Sequence, residues 1–230
     1  MRINKLLSNY GYCSRKETNE LIEERRITVN GLLSTPGQWV EETDIILVDN
    51  EPIKKKKPIY IILNKPIGIT CTAEESVDNN IIKFLNYPEY IFPVGRIDKE
   101  SQGLMLLTND GELANKILEA DNGHEKEYIV TLNKPYDDKF LEDMAMGVRI
   151  GDEKTRPCTL ERISKDTFSI ILTQGLNRQI RRMSKTLGYN VVRLQRIRIM
   201  NIKLEDLIYG KWRDLTEDEL RELRNLCYII

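Results

Sequence analysis

Apolar and polar positions alternate with a helical period at the start of the chain. Between Ile3 and Tyr10, apolar residues recur at intervals of three and four, which predicts an amphipathic helix that ends at Gly11. The run Ser14-Arg15-Lys16-Glu17 has the form of a capping box, so a second helix follows directly. The pattern therefore predicts a pair of short helices, each with one buried side.

The period then changes from helical to extended. Ile27-Thr28-Val29 precedes an Asn30-Gly31 pair typical of a hairpin turn, and Ile45 to Val48 is a further short apolar run. This small unit is predicted to end near Asp49. The following residues, 50–57, include four consecutive lysines and are predicted to form a basic, solvated linker.

The remainder, residues 58–230, is rich in predicted strands. The apolar runs 60–63, 128–132 and 168–173 carry β-branched or aromatic residues, while 112–118 has the pattern of a short helix after an Asn109-Asp110-Gly111 turn. We therefore predict an α+β protein of two domains. Residues 1–49 form the small one, and residues 58–230 form a larger one on a mostly antiparallel mixed sheet flanked by helices.

Composition allows this division and places one constraint on function. The 230 residues are 40% hydrophobic and 31% charged, which suffices for one good core and a smaller second one. The formal net charge is −1, so the chain as a whole does not indicate a polyanionic partner. Any surface for such a partner must come from uneven placement of charge.

Cysteine usage and the N-terminal segment bear on compartment. The four cysteines are far apart without a CxxC pair, and the single histidine, His124, is near none of them, which predicts reduced thiols and no metal site. Because no apolar stretch approaches membrane-spanning length and the first residues lack a signal-peptide pattern, the expected location is cytoplasmic, without membrane contact. A monomer is assumed.

Charge is concentrated in one segment. Residues 175–198 contain seven basic side chains and no acidic one. A helix predicted to open at Asn177 would present four cations on one face and Ile180, Met183 and Leu187 on the other. The four cations are Arg178, Arg181, Arg182 and Lys185. A solvated face is the ordinary interpretation of such a run, but the lack of interleaved carboxylates favours a phosphate-binding surface.

Two other segments contain residues that could take part in catalysis. Asp98 lies in the turn-rich stretch 92–104 between cations, and Tyr128 opens a predicted strand. Taken alone, an aspartate in such a loop is more often a cap, and such a tyrosine is more often a core residue. From spacing alone, both interpretations stay open.

Together these segments resemble the RsuA-type pseudouridine synthases. The resemblance rests on Gly95-Arg96-Ile97-Asp98 with Ser101-Gln102-Gly103-Leu104, on Lys126-Glu127-Tyr128, on Asn177-Arg178-Gln179-Ile180-Arg181-Arg182-Met183, and on Asn64-Lys65-Pro66-Ile67-Gly68. The first fifty residues resemble the S4 RNA-binding domain, of αL-like fold, at Cys13 to Glu17 and Val29-Asn30-Gly31. The resemblance covers essentially the whole chain.

The resemblance implies a reaction and a set of roles. The enzyme would isomerise a uridine in structured RNA without cofactor or metal. The implied RNA is 23S ribosomal RNA, with transfer RNA left open as a second substrate. Asp98 is implied as the catalytic carboxylate, Arg181 as its ion-pair partner and Tyr128 as the residue that stacks on the base. Ile180 would contact the uracil, and Arg96 would fill the RNA stack when the uridine is flipped out.

The basic residues are implied to bind the RNA backbone. On the S4-like unit these are Arg15, Lys16, Arg25 and Arg26, which the second helix is predicted to present, and on the larger unit they are Arg178, Arg182 and Lys185. Phosphate contacts position a protein on RNA while they specify little sequence.

Two other classes of function compete with the enzyme. An RNA chaperone or ribosome-assembly factor would keep the fold without the activity, but it would have no chemical need for Asp98, Tyr128 and Arg181 together. A helix-turn-helix DNA-binding regulator is suggested by the two N-terminal helices, yet it leaves the larger domain without a task.

Overall fold

The computed structural model describes residues 1–74, 76–119 and 123–228. Its helices are α1 Ile3–Asn9, α2 Arg15–Glu23, α3 Ile81–Leu85, α4 Gly111–Leu118, α5 Asp138–Ala145, α6 Gln179–Thr186 and α7 Glu217–Tyr228. Its strands are β1 Ile27–Val29, β2 Leu32–Leu33, β3 Ile46–Val48, β4 Glu51–Pro52, β5 Tyr60–Lys65, β6 Phe92–Pro93, β7 Gln102–Thr108, β8 Lys126–Leu132, β9 Arg149–Ile150, β10 Glu153–Lys154, β11 Thr159–Arg162, β12 Thr167–Leu172, β13 Val191–Ile199, β14 Ile202–Lys203 and β15 Trp212–Asp214.

The N-terminal unit is built as its local signals predict. The Ser14 hydroxyl and the Glu17 carboxylate form both halves of the capping box of α2. Asn30 and Gly31 both have positive φ, 51° and 82°, which joins β1 and β2 in a two-residue hairpin. The helices and the four-stranded sheet β2-β1-β3-β4 enclose one apolar core, and pairing of β4 with β3 continues this sheet to Pro52.

The larger part of the chain forms a nine-stranded mixed sheet. Its strand order is β11-β12-β8-β13-β7-β5-β15, with β14 on β13 and β6 on β7. Within the described residues every adjacent pair of this sheet is antiparallel except β13 and β7, which are parallel. The predicted α+β class with a mostly antiparallel sheet is confirmed.

The parallel pair joins two halves of this sheet. On one side, β5 and β7 carry apolar side chains on both faces, covered by α3 on one face and by α4 and α7 on the other. On the other side, β8, β12 and one end of β13 pack against α5 and α6. Each half therefore has its own apolar core.

Gly103 is required where the halves meet. It has φ of 104°, and a Cβ atom at this position would lie 2.2 Å from the carbonyl oxygen of Arg196 on β13. Only glycine permits so close an approach of two main chains. Arg196 is itself 2% exposed and donates from Nε to the Leu104 carbonyl oxygen at 2.8 Å.

The predicted linker contacts both units. The Lys56 amide donates to the Tyr10 carbonyl at 2.9 Å, and the Lys57 carbonyl accepts from the Asn109 side chain at 3.1 Å. Asn109 also accepts from the Ile59 amide, and Gly11 leaves room for its side chain. Part of the lysine segment is thus fixed by backbone hydrogen bonds. Within the described ranges, the helices are too short or too polar for a membrane span.

Candidate active site

Asp98 lies in the turn between β6 and β7, at the junction of the two halves. Its carbonyl accepts from the Ser101 amide at 2.9 Å, which closes the turn just before β7 begins. The Asp98 side chain is 21% exposed, so the carboxylate is accessible from one side. Asp98 thus belongs to a turn before a strand and does not cap a helix. One side of its carboxylate contacts the protein, and the other side is open to a ligand.

Arg181, on α6, holds this carboxylate from the other half of the sheet. Its Nε atom is 3.2 Å from Asp98 Oδ2, although the two residues are 83 positions apart in the chain. The same guanidinium donates to the Ser101 hydroxyl at 3.1 Å and to the Val191 carbonyl at 3.2 Å. A planar guanidinium with several fixed acceptors orients its carboxylate partner.

Arg178 adds a second cation, which corrects the prediction of four unpaired cations on one helix face. Its guanidinium lies 2.9 Å from Glu100 Oε2 and 3.7 Å from Asp98 Oδ2. The hydrogen bond from Arg178 holds the pKa of the Glu100 carboxyl below its ordinary value. The partners were missed because the segment 175–198 has no acid of its own; they come from the turn before β7.

A cavity of about 90 Å³ opens beside Asp98. Tyr128, which is half-buried on β8, lines it together with Ile180, Leu172 and Leu194. Arg96, which is exposed, lies at the same opening. The structure therefore brings a carboxylate, an aromatic ring and apolar side chains together, an arrangement suited to a flat, uncharged ring beside an anion.

The size of a cavity does not locate the chemistry in this protein. A larger one, of about 710 Å³, lies between α4, α7 and the start of β8, away from Asp98. Its residues include His124, Arg198 and Cys227. The convergence of Asp98, Arg181 and Tyr128 is the better guide, because it unites groups from three separate elements.

The two predictions for Ile180, a place in the core under α6 and contact with the uracil, conflict on a helical wheel. The helix α6 begins at Gln179, with Arg178 in a left-handed conformation before it, rather than at the predicted Asn177. Ile180 is only 4% exposed and belongs to the core under α6, yet it also lines the cavity at Asp98. A residue in the first turn of a helix can do both, since its side chain points back past the helix start.

The other predicted RNA-binding cations are farther from this cavity. Lys185 and Arg182 are exposed on α6, and Arg182 donates to the Ile150 carbonyl at 3.1 Å. Arg15 and Lys16 are exposed in the first turn of α2. These four present charge to solvent.

Arg25 and Arg26 are not on α2, which corrects the prediction for this helix. The helix ends at Glu23, and Arg25 follows it with φ of 59°. Arg26 forms a bidentate pair with Asp49, with distances of 2.7 and 2.6 Å. Asp49 was missed as its partner because the two lie 23 positions apart. Arg26 is thus already paired with a carboxylate of the same chain, although both Arg25 and Arg26 are exposed.

Sequence reasoning also missed Lys65 as part of the site. This lysine is fully buried, and its ammonium donates to the carbonyls of Pro66 and Ile69, both at 2.8 Å. Burial lowers the pKa of its amine. Lys65 therefore fixes the loop after β5 near Asp98. Its place in the motif 64–68 was the available signal, but that motif served only for the resemblance.

The described part of the chain offers no cluster of three or more histidine, cysteine, aspartate or glutamate side chains suited to a metal ion. Its four cysteines are free thiols, three of them buried. The polar groups at Asp98 are instead hydrogen-bonded to one another.

Known proteins match this chain over nearly its whole length. Residues 59–186 match the family model of RNA pseudouridylate synthases, and residues 1–46 match the S4 domain. The chain is 46% identical over 229 residues to the dual-specificity RNA pseudouridine synthase RluF of Shigella flexneri, covering 98% of this chain and 79% of that protein. It is 34% identical to the ribosomal large subunit pseudouridine synthase B of Bacillus subtilis, covering 98% and 96%.

A solved structure described as a pseudouridylate synthase has the same fold. It superposes with a TM-score of 0.73 at 28% identity, covering 97% of this chain and 99% of the other. The chain therefore belongs to the RsuA-type RNA pseudouridine synthases, with an S4 domain at its N-terminus. It is an enzyme that acts on RNA.

Proposed function

We propose that this enzyme isomerises one uridine of 23S ribosomal RNA to pseudouridine, with Asp98 as the catalytic carboxylate acting on a base flipped out of its stack. The observation that carries this proposal is the pairing of Asp98 with Arg181 at 3.2 Å beside a cavity lined by Tyr128. Because these groups come from both halves of the sheet, their meeting is a property of the whole fold.

The reaction requires little beyond such a pocket. The bond between C1′ and N1 must break, the uracil must rotate, and a bond between C1′ and C5 must form. Atoms and oxidation state balance within the substrate, so the proposal invokes no cofactor or metal. An ionised Asp98 can attack the sugar, attack the base or remove a sugar proton, and Arg181 pairs with that carboxylate and orients it.

Extrusion of the uridine has a cost that the cavity must offset. Removing a base from a stacked RNA costs a few kcal/mol, and stacking on an aromatic side chain returns roughly 1–3 kcal/mol. We assign this stacking to Tyr128, with Ile180 against the uracil. Arg96, exposed at the opening, is positioned to fill the space left in the RNA.

The exposed cations are assigned to the RNA backbone. Arg182 and Lys185 on α6, with Arg15, Lys16 and Arg25 in the S4 domain, present positive charge that no other described residue neutralises at close range except weakly at Lys16. Arg178 and Arg26 belong to this set only in part, because each already pairs with a carboxylate. Phosphate contacts of this kind position the RNA.

The choice of RNA rests on relatives. One is named for the large ribosomal subunit and another for dual specificity, which supports 23S ribosomal RNA as substrate and transfer RNA as a second one. An enzyme acting on these RNAs is expected in the cytoplasm, and a single chain supplies every residue assigned above, so a monomer is the working form. The division into an S4 domain (1–49), a linker (50–57) and a catalytic domain (58–230) is part of the proposal.

Replacing Asp98 tests the catalytic assignment. Asp98→Asn keeps the size of the side chain and removes its charge, so tritium release from RNA containing 5-tritiated uridine should fall below detection. RNA affinity and melting temperature should stay near those of the wild type. Turnover retained by Asp98→Asn would reject the assignment, and a wild type that binds RNA without turnover would favour the chaperone.

The substrate is tested in cells. Pseudouridines in ribosomal and transfer RNA are mapped by carbodiimide modification and primer extension, with and without the gene. A site in 23S ribosomal RNA should disappear without the gene and return with the wild type, but not with Asp98→Asn. Loss confined to transfer RNA would contradict the ribosomal substrate.

A further inference from the structure

A second cavity meets the catalytic one at Asp98. It has a volume of about 430 Å³, against about 90 Å³ for the cavity at Tyr128. The two share the residues of the Asp98 turn and of the loop before α6. We call the second cavity the flanking groove; the residues that line it alone are Thr70, Cys71, Thr72, Lys99 and Asn177.

The connectivity of RNA makes this groove relevant to catalysis. A target uridine in the small cavity remains covalently joined to a nucleotide on each side. The small cavity cannot hold those neighbours, so they must leave through its opening. Because the flanking groove begins at that opening, with Asp98 and Arg178 common to both cavities, it offers one neighbour a path along the protein.

The lining of the groove suits a nucleotide. Lys99 and Asn177 are exposed, and among the described residues the side chain of neither has an ion-pair or hydrogen-bond partner. An ammonium group can bind a phosphate, while a carboxamide can both donate to and accept from the edge of a base. Thr70 and Thr72 add hydroxyl groups to the lining.

The wall of the groove is held rigidly. Buried Lys65 binds the carbonyls of Pro66 and Ile69, and the Gly68 amide donates to the Lys99 carbonyl at 2.8 Å. The Thr70 carbonyl in turn accepts from the Ile81 amide at the start of α3. A site fixed before its ligand arrives loses less entropy on binding, which is a requirement for selective recognition.

We propose that the flanking groove binds the nucleotide next to the target uridine, with Lys99 at its phosphate and Asn177 at its base. These residues would make the enzyme selective for the sequence around the uridine, whereas the small cavity selects the uracil itself. This inference rests on the proposed function, because it assumes that Asp98 marks the position of the target.

The test combines protein variants with altered RNA. The probe is a synthetic RNA spanning the mapped uridine, made in three forms: intact, abasic at the 5′ neighbour and abasic at the 3′ neighbour. The wild type should lose roughly tenfold in kcat/KM on one of the two abasic RNAs, the size expected for one base contact. Asn177→Ala should lose a similar factor on intact RNA, mostly in KM, and nothing further on that abasic RNA.

Lys99→Gln should raise KM on all three RNAs, because a phosphate contact does not depend on the base. The matched control is Lys203→Gln, an exposed lysine on β14 outside both cavities, which should leave KM unchanged. If Asn177→Ala lowers kcat/KM by the same factor on intact and on both abasic RNAs, or matches the wild type throughout, the inference is wrong.

These failures are distinguishable from failure of the proposed function. If the wild type forms pseudouridine in the intact probe and Asp98→Asn does not, the catalytic assignment stands whatever the groove variants do. If the wild type forms no pseudouridine in the mapped RNA, both the proposed function and the inference about the flanking groove are wrong.

Discussion

The cations at the Asp98 carboxylate and those of the S4 domain differ in how they are held. Arg181 is 14% exposed and donates to Asp98, Ser101 and Val191, so its guanidinium has one defined position. Arg15 and Lys16 are exposed, and among the described residues the one carboxylate that the Lys16 ammonium approaches is that of Glu20, at 3.9 Å. A charge that is fixed in one position can orient a reacting group. An exposed surface charge attracts the phosphates of a polyanion but does not orient a reacting group.

The largest effect in this comparison of held and exposed cations is expected at Arg181. Arg181→Lys keeps a positive charge but cannot reach all of these acceptors from one position. The rate of a single turnover at saturating RNA should fall on the order of a hundredfold, because misplacement of a reacting group by about 1 Å costs that much.

RNA affinity of Arg181→Lys, measured by filter binding, should stay within a small factor of the wild type. Arg178→Lys serves for comparison and should lose less, because its nearest acceptor is Glu100 rather than Asp98. Near-normal turnover by Arg181→Lys would mean that charge alone suffices at the carboxylate.

Replacing the S4 cations should change the salt dependence of RNA affinity and leave the catalytic rate unchanged. In the double variant Arg15→Gln, Lys16→Gln, the slope of log affinity against log salt should decrease by roughly 1.5, since each phosphate contact contributes roughly 0.7 to 0.9. The single-turnover rate at saturating RNA should not change. Arg26→Gln is the control, because Arg26 already pairs with Asp49, and its slope should stay closer to that of the wild type. An unchanged slope in the double variant would mean that Arg15 and Lys16 face solvent and do not contact RNA phosphates.

Arg182 should give the smallest effect, and it separates charge from hydrogen bonding. Arg182→Ala should reduce the salt slope by roughly 0.8, the contribution of one phosphate. Arg182→Lys should restore the slope although it loses the fixed hydrogen bond to Ile150. Arg221→Gln on α7, whose arginine pairs with Asp218, changes the net charge equally and should have no effect. Equal slopes for Arg182→Ala and Arg182→Lys would remove Arg182 from the RNA surface.

The sequence predicted what depends on neighbours in the chain. The Asn30-Gly31 hairpin and the Ser14–Glu17 capping box form as expected, because each is decided by residues within a few positions. The ends of α2 and the start of α6 differ by a few residues from expectation, since Arg25 and Arg178 adopt left-handed conformations that no local signal required.

Contacts between distant segments could not be derived in this way. Nothing in the pattern around Arg178 indicates a carboxylate 78 positions earlier, and the pairing of Arg181 with Asp98 was implied only by the family resemblance. The two contacts of buried Lys65 could not be derived either, because its acceptors become available only when the loop after β5 folds back. Charge counts along the chain therefore gave the location of the basic surface but not the pairing within it.

The close contact of Gly103 with Arg196 has a consequence for how the enzyme tolerates change. Asp98 precedes β7 in one half of the sheet, whereas Tyr128 on β8 and Arg181 on α6 belong to the other half, so the spacing between these groups is set where two backbones touch. Each core can exchange side chains of similar volume without altering that spacing. A single added methyl group at Gly103, which does not line the cavity at Asp98, would instead push the two cores apart.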